Sequence, residues 1–234
     1  MHCSGYDAAN ILEKVKAAAL KVKDGSAVYE RDGRLYDEIV QSWPLLANLL
    51  WIAGKNDGHL SVIDFGGSLG SSYFQQRGYL QHLKDLKWSI VEQPGFAAAG
   101  KTAIAGGPLD FFETIEAAVA DRGQHSVLLL SCVLPYIEKP YELLAGFTQK
   151  NIPYIIVENT YFNPAPGNRL TVQKVPPVYY EAAYPAWWLN YEEVVAALQP
   201  AYQLVAAYKN EDILYLDGRL VPYRGFVMQL KPGS

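Results

Sequence analysis

The chain has 234 residues, of which half are hydrophobic and 19% are charged, and its net charge is −4. This length suits one α/β domain with added segments, and the lack of any Lys/Arg-rich run argues against nucleic-acid binding. Two cysteines and four histidines show no metal-ligand spacing, and no signal-peptide pattern or long apolar run is found, so we expect a cytoplasmic protein without metal or membrane span.

The first third of the chain has helical periodicity. Apolar residues predict one helix over 7–23 and a second over 37–53, which Pro44 should kink or restart. The polar residues 26–36 between them predict a loop. We therefore expect an N-terminal helical extension over residues 1–56, followed by the main domain over residues 57–234.

From residue 57 onward, short apolar runs alternate with helical stretches. Strands are predicted at 60–65, 88–91, 102–105, 127–132, 152–157, 202–208 and 224–230, the last two joined by a turn near Asp217-Gly218. Helices are predicted at about 70–84, 95–101, 111–121, 139–150 and 191–199. This alternation predicts a Rossmann-like α/β fold with a mostly parallel seven-stranded sheet and helices on both faces.

The first predicted strand runs into a glycine-rich loop. Its acid and small residues alternate, as Asp64, Gly66, Ser68 and Gly70, with Gly67 between them. This pattern resembles the loop of class I methyltransferases, whose backbone approaches the methionine part of S-adenosylmethionine (SAM), with Ser68 in place of the middle glycine. The spacing does not fit the dinucleotide motif GxGxxG. A plain glycine-rich turn is the alternative interpretation.

Acidic residues follow the next two predicted strands. Glu92, beside Gln93, comes roughly 20 residues after the glycine-rich loop, where Rossmann-type folds place the acid that binds ribose hydroxyls. Asp110 and Phe111 follow the third predicted strand, where class I methyltransferases often contact adenine. Asp110 could equally be the N-cap of the predicted helix 111–121. We predict all four residues as cofactor-binding.

The fourth predicted strand ends in Ser131-Cys132 and continues to Tyr136. This segment resembles the fourth-strand region of the same enzymes, which borders the cofactor and the substrate. We therefore predict that Ser131 and Cys132 lie at the cofactor and Tyr136 at the substrate. Cys132 fits a small core residue better than a nucleophile.

Residues 159–190 form an unusually long connection, rich in proline and aromatic residues. Long loops in compact domains often cover a binding site, so we predict a substrate cover with Tyr161, Tyr179, Tyr180 and Trp187 as substrate-binding residues. The alternative is a small satellite core over the sheet edge. The candidate bases for a hydroxyl acceptor are Glu158, Glu181 and Tyr184.

Several stretches together resemble one family of methyltransferases, known chiefly from sequence and often encoded among genes for surface polysaccharides or secondary metabolites. They are Asp64–Tyr73, Trp88–Pro94, Ser131–Tyr141, Thr171–Gln173 and Tyr184–Trp187. The resemblance covers about residues 30–230. It departs at Glu158-Asn159-Thr160, where the family has Asp-Arg-Thr, and this puts an arginine-dependent substrate contact in doubt.

The resemblance implies SAM as cofactor and transfer of its methyl group to a small-molecule acceptor, such as the hydroxyl or amine of a sugar or secondary metabolite. An NAD(P)-dependent oxidoreductase and a non-catalytic SAM- or nucleotide-binding module remain alternatives. The sequence does not fix the oligomeric state, and a homodimer is one arrangement compatible with it.

Overall fold

The computed structural model describes residues 9–175 and 182–233. Contacts divide the chain into two units, Met1–Gln124 with Val172–Tyr184 and His125–Thr171 with Pro185–Ser234. The strand pairing gives a mixed sheet of seven strands, and helices flank it. This confirms the predicted fold class, whereas the predicted division into residues 1–56 and 57–234 stays a prediction.

The first unit is built around three parallel strands. Its elements are α1 (Ala9–Asp24), β1 (Tyr29–Arg31), β2 (Arg34–Tyr36), α2 (Trp43–Lys55), β3 (His59–Phe65), α3 (Ser71–Leu80), β4 (Asp85–Val91), α4 (Pro94–Ala103), β5 (Leu109–Phe112) and α5 (Ile115–Arg122). Strand β4 pairs with β3 on one side and with β5 on the other. The register aligns Phe65 with Val91 and Val91 with Phe112, so the three strands end at one level.

The second unit combines a parallel pair with a long antiparallel hairpin. Its elements are β6 (Val127–Ser131), a 3-10 helix (Leu134–Tyr136), α6 (Pro140–Thr148), β7 (Tyr154–Thr160), α7 (Tyr191–Leu198), β10 (Tyr202–Leu216) and β11 (Arg219–Leu230). Strands β6 and β7 are parallel, and β11 runs antiparallel to both β7 and β10. Strands β6 and β7 are almost wholly buried, which accounts for their continuous apolar sequence.

Two predictions for the N-terminal third are wrong. The predicted loop 26–36 contains the hairpin of β1 and β2, which turns at Asp32-Gly33 with positive φ at both residues. The second helix begins at Trp43 instead of 37, because the Ser42 side chain accepts a hydrogen bond from the Leu45 N–H at 3.4 Å. Pro44 then lies in the first turn, where proline is tolerated, and not within the helix.

The third predicted strand is also misplaced. Residues 102–105 are not a strand, because α4 continues to Ala103. The strand is Leu109–Phe112, which overlaps the start of the predicted helix 111–121. The helix itself begins at Ile115, because the Thr114 hydroxyl caps it by accepting from the Ala117 N–H at 3.1 Å. Asp110 is therefore a strand residue, and its predicted N-cap role is wrong.

The long connection 159–190 contains regular structure. Strands β8 (Arg169–Lys174) and β9 (Ala183–Trp188) form a separate two-stranded sheet. The Thr171 hydroxyl donates to the Ala186 carbonyl at 3.0 Å, and the Val175 N–H donates to the Ala182 carbonyl at the same distance. The segment is thus a hairpin held by hydrogen bonds across its described residues.

Candidate functional site

The glycine-rich loop of the first unit leaves β3 in a run of left-handed backbone conformations. Gly66, Ser68 and Gly70 have φ values of 71°, 52° and 101°. The Gly66 N–H donates to the Val91 carbonyl of β4 at 2.9 Å, and the Gly70 N–H donates to the Gly67 carbonyl at 3.0 Å. The positive φ of Ser68 is unfavourable for a residue with a side chain, and such strain concentrates at functional sites.

Asp64 lies beneath this loop and is fully buried. Its Oδ2 accepts a hydrogen bond from the Trp88 indole N–H at 3.1 Å, whereas its Oδ1 has no hydrogen-bond donor among the described residues. Burial raises the pKa of the Asp64 carboxyl to about 7, against a smaller lowering by the Trp88 hydrogen bond. Asp64 thus supports the loop through Oδ2, and its buried Oδ1 could accept a hydrogen bond from a ligand.

Gly67 packs directly on the Asp64 carboxylate. A Cβ atom at Gly67 would lie 2.5 Å from Asp64 Cγ and under 3 Å from both carboxylate oxygens. No side chain fits there unless the acid or the loop moves. Gly67 is therefore required for space, whereas Gly66 and Gly70 are required for conformation.

Glu92 joins the end of β4 to the glycine-rich loop. Its half-buried carboxylate accepts from the Ser68 N–H at 3.1 Å through Oε1 and from the Gln93 N–H at 2.8 Å through Oε2. Gln93 is exposed and is the N-cap residue of α4. The structure thus brings together two elements that the sequence predicted separately, the loop and the acid after the second strand.

The placement of Asp110 and Phe111 differs from the sequence prediction. Both lie within β5 instead of after it, and the Asp110 carboxylate accepts from the Phe111 N–H at 2.8 Å. The Phe111 ring is buried against α4, where a side chain at Gly100 would overlap it. The acid that follows the strand, at the level of Glu92, is the exposed Glu113, which the sequence analysis missed because it misplaced the strand.

In the second unit, Ser131 and Cys132 mark the end of β6. Ser131 is aligned with Glu158 of β7, and the Cys132 N–H donates to the Glu158 carbonyl at 2.9 Å. Cys132 is half-buried with a left-handed φ of 52°. Tyr136, at the end of the 3-10 helix, is 38% exposed. These residues therefore lie at the carboxyl end of a parallel strand, as predicted.

Glu158 is buried at the end of β7 and has two side-chain partners from β10. Its carboxylate accepts from the Tyr208 hydroxyl at 2.5 Å and from the Asn210 amide at 2.6 Å. The Tyr208 ring lies over Gly225 of β11, where any side chain would overlap it. The next residue, Asn159, has a φ of 45° and donates to the Asp212 carboxylate at 3.0 Å. Glu158 was predicted as a site residue, whereas its partners were not, because they are some 50 residues away in the sequence.

The long connection is partly a packed aromatic core. Tyr161 is buried with Trp188 and Val221, and its ring centroid lies 4.6 Å from that of Trp188. This placement fits the alternative interpretation for Tyr161 and not a substrate-facing role. Tyr184 is buried in β9, and Trp187 is half-buried. The predicted roles of Tyr179, Tyr180 and Glu181 concern residues outside the described part of the chain.

In residues 9–175 and 182–233, no three His, Cys, Asp or Glu side chains cluster as a metal site would require. Within the same ranges, no helix has both the length and the apolar character needed to cross a membrane.

Comparison with known proteins gives similarity at the level of structure only. No protein-family model and no curated protein sequence matches the chain. The N-terminal domain of EvdMO1 in the presence of SAH and D-fucose aligns with 94% of this chain and 97% of its own, at 13% identity and a TM-score of 0.51. The same domain with SAH bound gives 12% identity over the same shares and a TM-score of 0.52.

A second structure supports the same comparison. A SAM-dependent methyltransferase from Methanosarcina mazei aligns with 82% of this chain and 99% of its own, at 12% identity and a TM-score of 0.53. Identities this low establish the architecture and not the activity. The chain therefore has the Rossmann-like fold of SAM-dependent methyltransferases.

Proposed function

We propose that the protein is a SAM-dependent methyltransferase that acts on a small molecule. The observation that carries the proposal is the hydrogen bond from the Ser68 N–H to the Glu92 carboxylate. It joins the strained glycine-rich loop to the acid that ends the neighbouring strand, and ligands of open α/β sheets bind at such carboxyl ends. The similarity in fold to structures holding SAH supports the same cofactor.

The residues of the first unit fit the polar groups of SAM. Asp64 Oδ1 is a buried acceptor without a donor among the described residues, and it suits an ammonium group. The Glu92 carboxylate has lone pairs left for ribose hydroxyls after accepting from two N–H groups. We assign Glu113, in place of Asp110, to the adenine end, because Glu113 follows β5 at the level of Glu92.

SAM, when bound, supplies an electrophilic methyl group, so the protein mainly has to position the acceptor and remove its proton. Glu158 is our candidate for the proton acceptor. Tyr208 and Asn210 fix its carboxylate from β10, which gives it a defined orientation. Tyr136 and Trp187, exposed and half-buried, are the candidates for acceptor binding. Tyr184 is buried and is better suited to supporting the cover.

A sugar hydroxyl is the acceptor class that we propose. One structure with the same fold was obtained in the presence of SAH and D-fucose. A hydroxyl acceptor needs a base at the moment of transfer, and Glu158 is a carboxylate near the carboxyl end of β7 whose position is fixed by two hydrogen bonds. An amine acceptor would lose its proton more readily and depend less on Glu158.

The test is a transfer assay with methyl-labelled SAM and a panel of free and nucleotide-linked deoxysugars and matching aminosugars. We expect SAH to form together with a methylated deoxysugar. Glu158→Gln should lower turnover by about 100-fold while leaving SAM affinity unchanged, because the base acts on the acceptor. Glu192→Gln, which changes an exposed acid of α7 in the same unit, is the matched control and should keep full turnover.

The assay tests the methyltransferase assignment and the class of acceptor separately. Binding of NAD(P) in place of SAM would contradict the methyltransferase assignment itself. Binding of SAM with transfer only to aminosugars would contradict the hydroxyl acceptor. Full turnover in Glu158→Gln would exclude Glu158 as the base.

A further inference from the structure

The first unit has a second concave region, at the amino end of its strands. A cavity of about 750 Å³ lies where β4 begins, and its wall includes residues 83–87 and 107–108 together with the last turns of α3 and α5. Glu92 is at the other end of β4, about 20 Å away for a strand of seven residues. Tyr73, in the first turn of α3, brings one side of the lining closer to the glycine-rich loop. Most of the cavity is therefore remote from the proposed cofactor site.

Positive charge is concentrated in the lining of this cavity. Among the described residues that line it, four are cationic and one is a carboxylate, namely Arg77, Lys84, Lys87, Arg122 and Asp85. The chain as a whole carries a net charge of −4. This local excess of positive charge is opposite in sign to the rest of the molecule.

Within the described part of the chain, the half-buried cations of the cavity donate hydrogen bonds to main-chain carbonyls and not to carboxylates. Arg122 donates to the Pro108 carbonyl at 2.8 Å, and Lys87 donates to the Arg122 carbonyl at 3.0 Å. Arg77 donates to the Val22 carbonyl at 3.2 Å. Carbonyl oxygens carry no formal charge, so these contacts position the cations without neutralising them.

Helix dipoles explain the positions of only two of the four cations in the cavity. Arg77 and Arg122 lie in the last turns of α3 and α5, where a cation is favoured by the helix dipole. Lys84 precedes β4 and Lys87 lies within it, so no helix explains their presence. Four cations beside the single carboxylate of Asp85 leave a net positive charge, which an anionic ligand would compensate.

The remaining lining suits an organic body beside the anionic group. Leu80, Leu83, Leu86 and Pro108 provide apolar contact. The Tyr73 side chain adds a polar group beside Arg77. The volume lies within the range of small-molecule sites, which is roughly 300–1,000 Å³.

We propose that this cavity is a binding site for the phosphate group of a phosphorylated small molecule. Phosphate suits the lining because it accepts several charge-assisted hydrogen bonds at once. Within the described residues, Arg122 donates through Nη1 and Arg77 through Nη2, so the other nitrogens of both guanidinium groups are available to a phosphate. The site does not depend on the proposed methyl transfer.

Isothermal titration calorimetry with inorganic pyrophosphate, at low ionic strength, tests the proposal. We expect a dissociation constant below about 1 mM and at least tenfold weaker binding in the double variant Lys84→Gln/Lys87→Gln. Lys21→Gln/Lys101→Gln is the matched control, since it removes the same charge from the same unit outside the cavity and should bind as the original protein does. Thermal melting confirms that both double variants are folded.

Saturating SAH should leave the pyrophosphate affinity unchanged, because the glycine-rich loop is at the opposite end of β4. Three results would overturn the proposal. They are the absence of pyrophosphate binding, equal loss of affinity in the two double variants, and displacement of pyrophosphate by SAH.

Discussion

Gly67 is the residue in the glycine-rich loop that has no room for a side chain. Its Cα hydrogen faces the Asp64 carboxylate, and a Cβ would lie 2.5 Å from Asp64 Cγ. We expect Gly67→Ala to lower the free energy of unfolding by about 1–3 kcal/mol, as overpacking does elsewhere. If the loop shifts to relieve the overlap, SAM affinity should fall as well. Chemical denaturation and calorimetry measure the two effects.

Gly146→Ala is the control for that experiment. Gly146 lies in α6, has no positive φ, and would find nothing within 4 Å of an added Cβ. The substitution should be neutral or stabilise the protein by up to about 1 kcal/mol. Equal stability of Gly67→Ala and Gly146→Ala would show that the loop is not packed on Asp64.

Local patterns in the sequence predicted one part of the candidate site. The alternation from Asp64 to Gly70 and the position of Glu92 are readable because each belongs to one strand end. The partners of Glu158 could not be predicted, because Tyr208 reaches it only where Gly225 of an intervening strand lacks a side chain. Such an arrangement depends on the pairing of three strands.

At the scale of elements, the segment before β3 forms hydrogen bonds with α3 at more than one position along the helix. The Glu30 carboxylate of β1 accepts hydrogen bonds from the Ser71 hydroxyl and, at 3.2 Å, from the Gly33 N–H. Farther along the helix, Gln75 donates to the Val40 carbonyl at 2.6 Å. Because α3 follows the glycine-rich loop directly, the N-terminal hairpin stabilises the helix on which the loop ends.

Glu30 makes this contact dependent on pH. Burial raises the pKa of its carboxyl to about 7, against smaller lowering effects of Ser71 and Gly33. The folded protein therefore holds the proton more tightly than the unfolded chain, so stability is greatest below the unfolded pKa and falls as pH rises through about 7. Asp64, with a pKa also raised to about 7, acts in the same direction.

We expect Glu30→Gln to reduce the loss of stability between pH 5 and pH 8 by on the order of 2–3 kcal/mol, since glutamine keeps the shape and cannot ionise. Urea unfolding at the two pH values measures this change in the free energy of unfolding. Glu13→Gln, at an exposed position of α1, is the control and should leave the dependence as it is. An unchanged pH dependence in Glu30→Gln would contradict the role given to this carboxyl.

The length of the flanking strands decided which turns and strands could be predicted from the sequence. The Asp217-Gly218 turn was predicted, and it joins β10 to β11 with positive φ at both residues. The same Asp-Gly signal at 32–33 was missed, because its strands have only three residues each. Strand β5 was misplaced because it has four residues and follows an alanine-rich helix that ends close to it.

At the scale of the whole molecule, the strands of the first unit have chemically different ends. Acidic groups, Asp64, Glu92 and Glu113, gather at the carboxyl ends, and the cationic cavity lies at the amino end of β4. SAM carries positive charge on its sulfonium and ammonium groups, which suits the acidic end. A phosphorylated ligand suits the cationic cavity at the amino end. The charge distribution thus supports one site for a cationic ligand and a second site for an anionic ligand.

The central claim is tested most directly by titrating SAM into the protein and into Glu92→Ala by calorimetry, with Asp121→Ala as the exposed-acid control. The original protein and the control should bind SAM with micromolar affinity, about 8 kcal/mol. Glu92→Ala should bind at least tenfold more weakly, because it loses the ribose contact and the bond to the Ser68 N–H. No binding by the original protein, or equal affinity in a folded Glu92→Ala, would contradict the account.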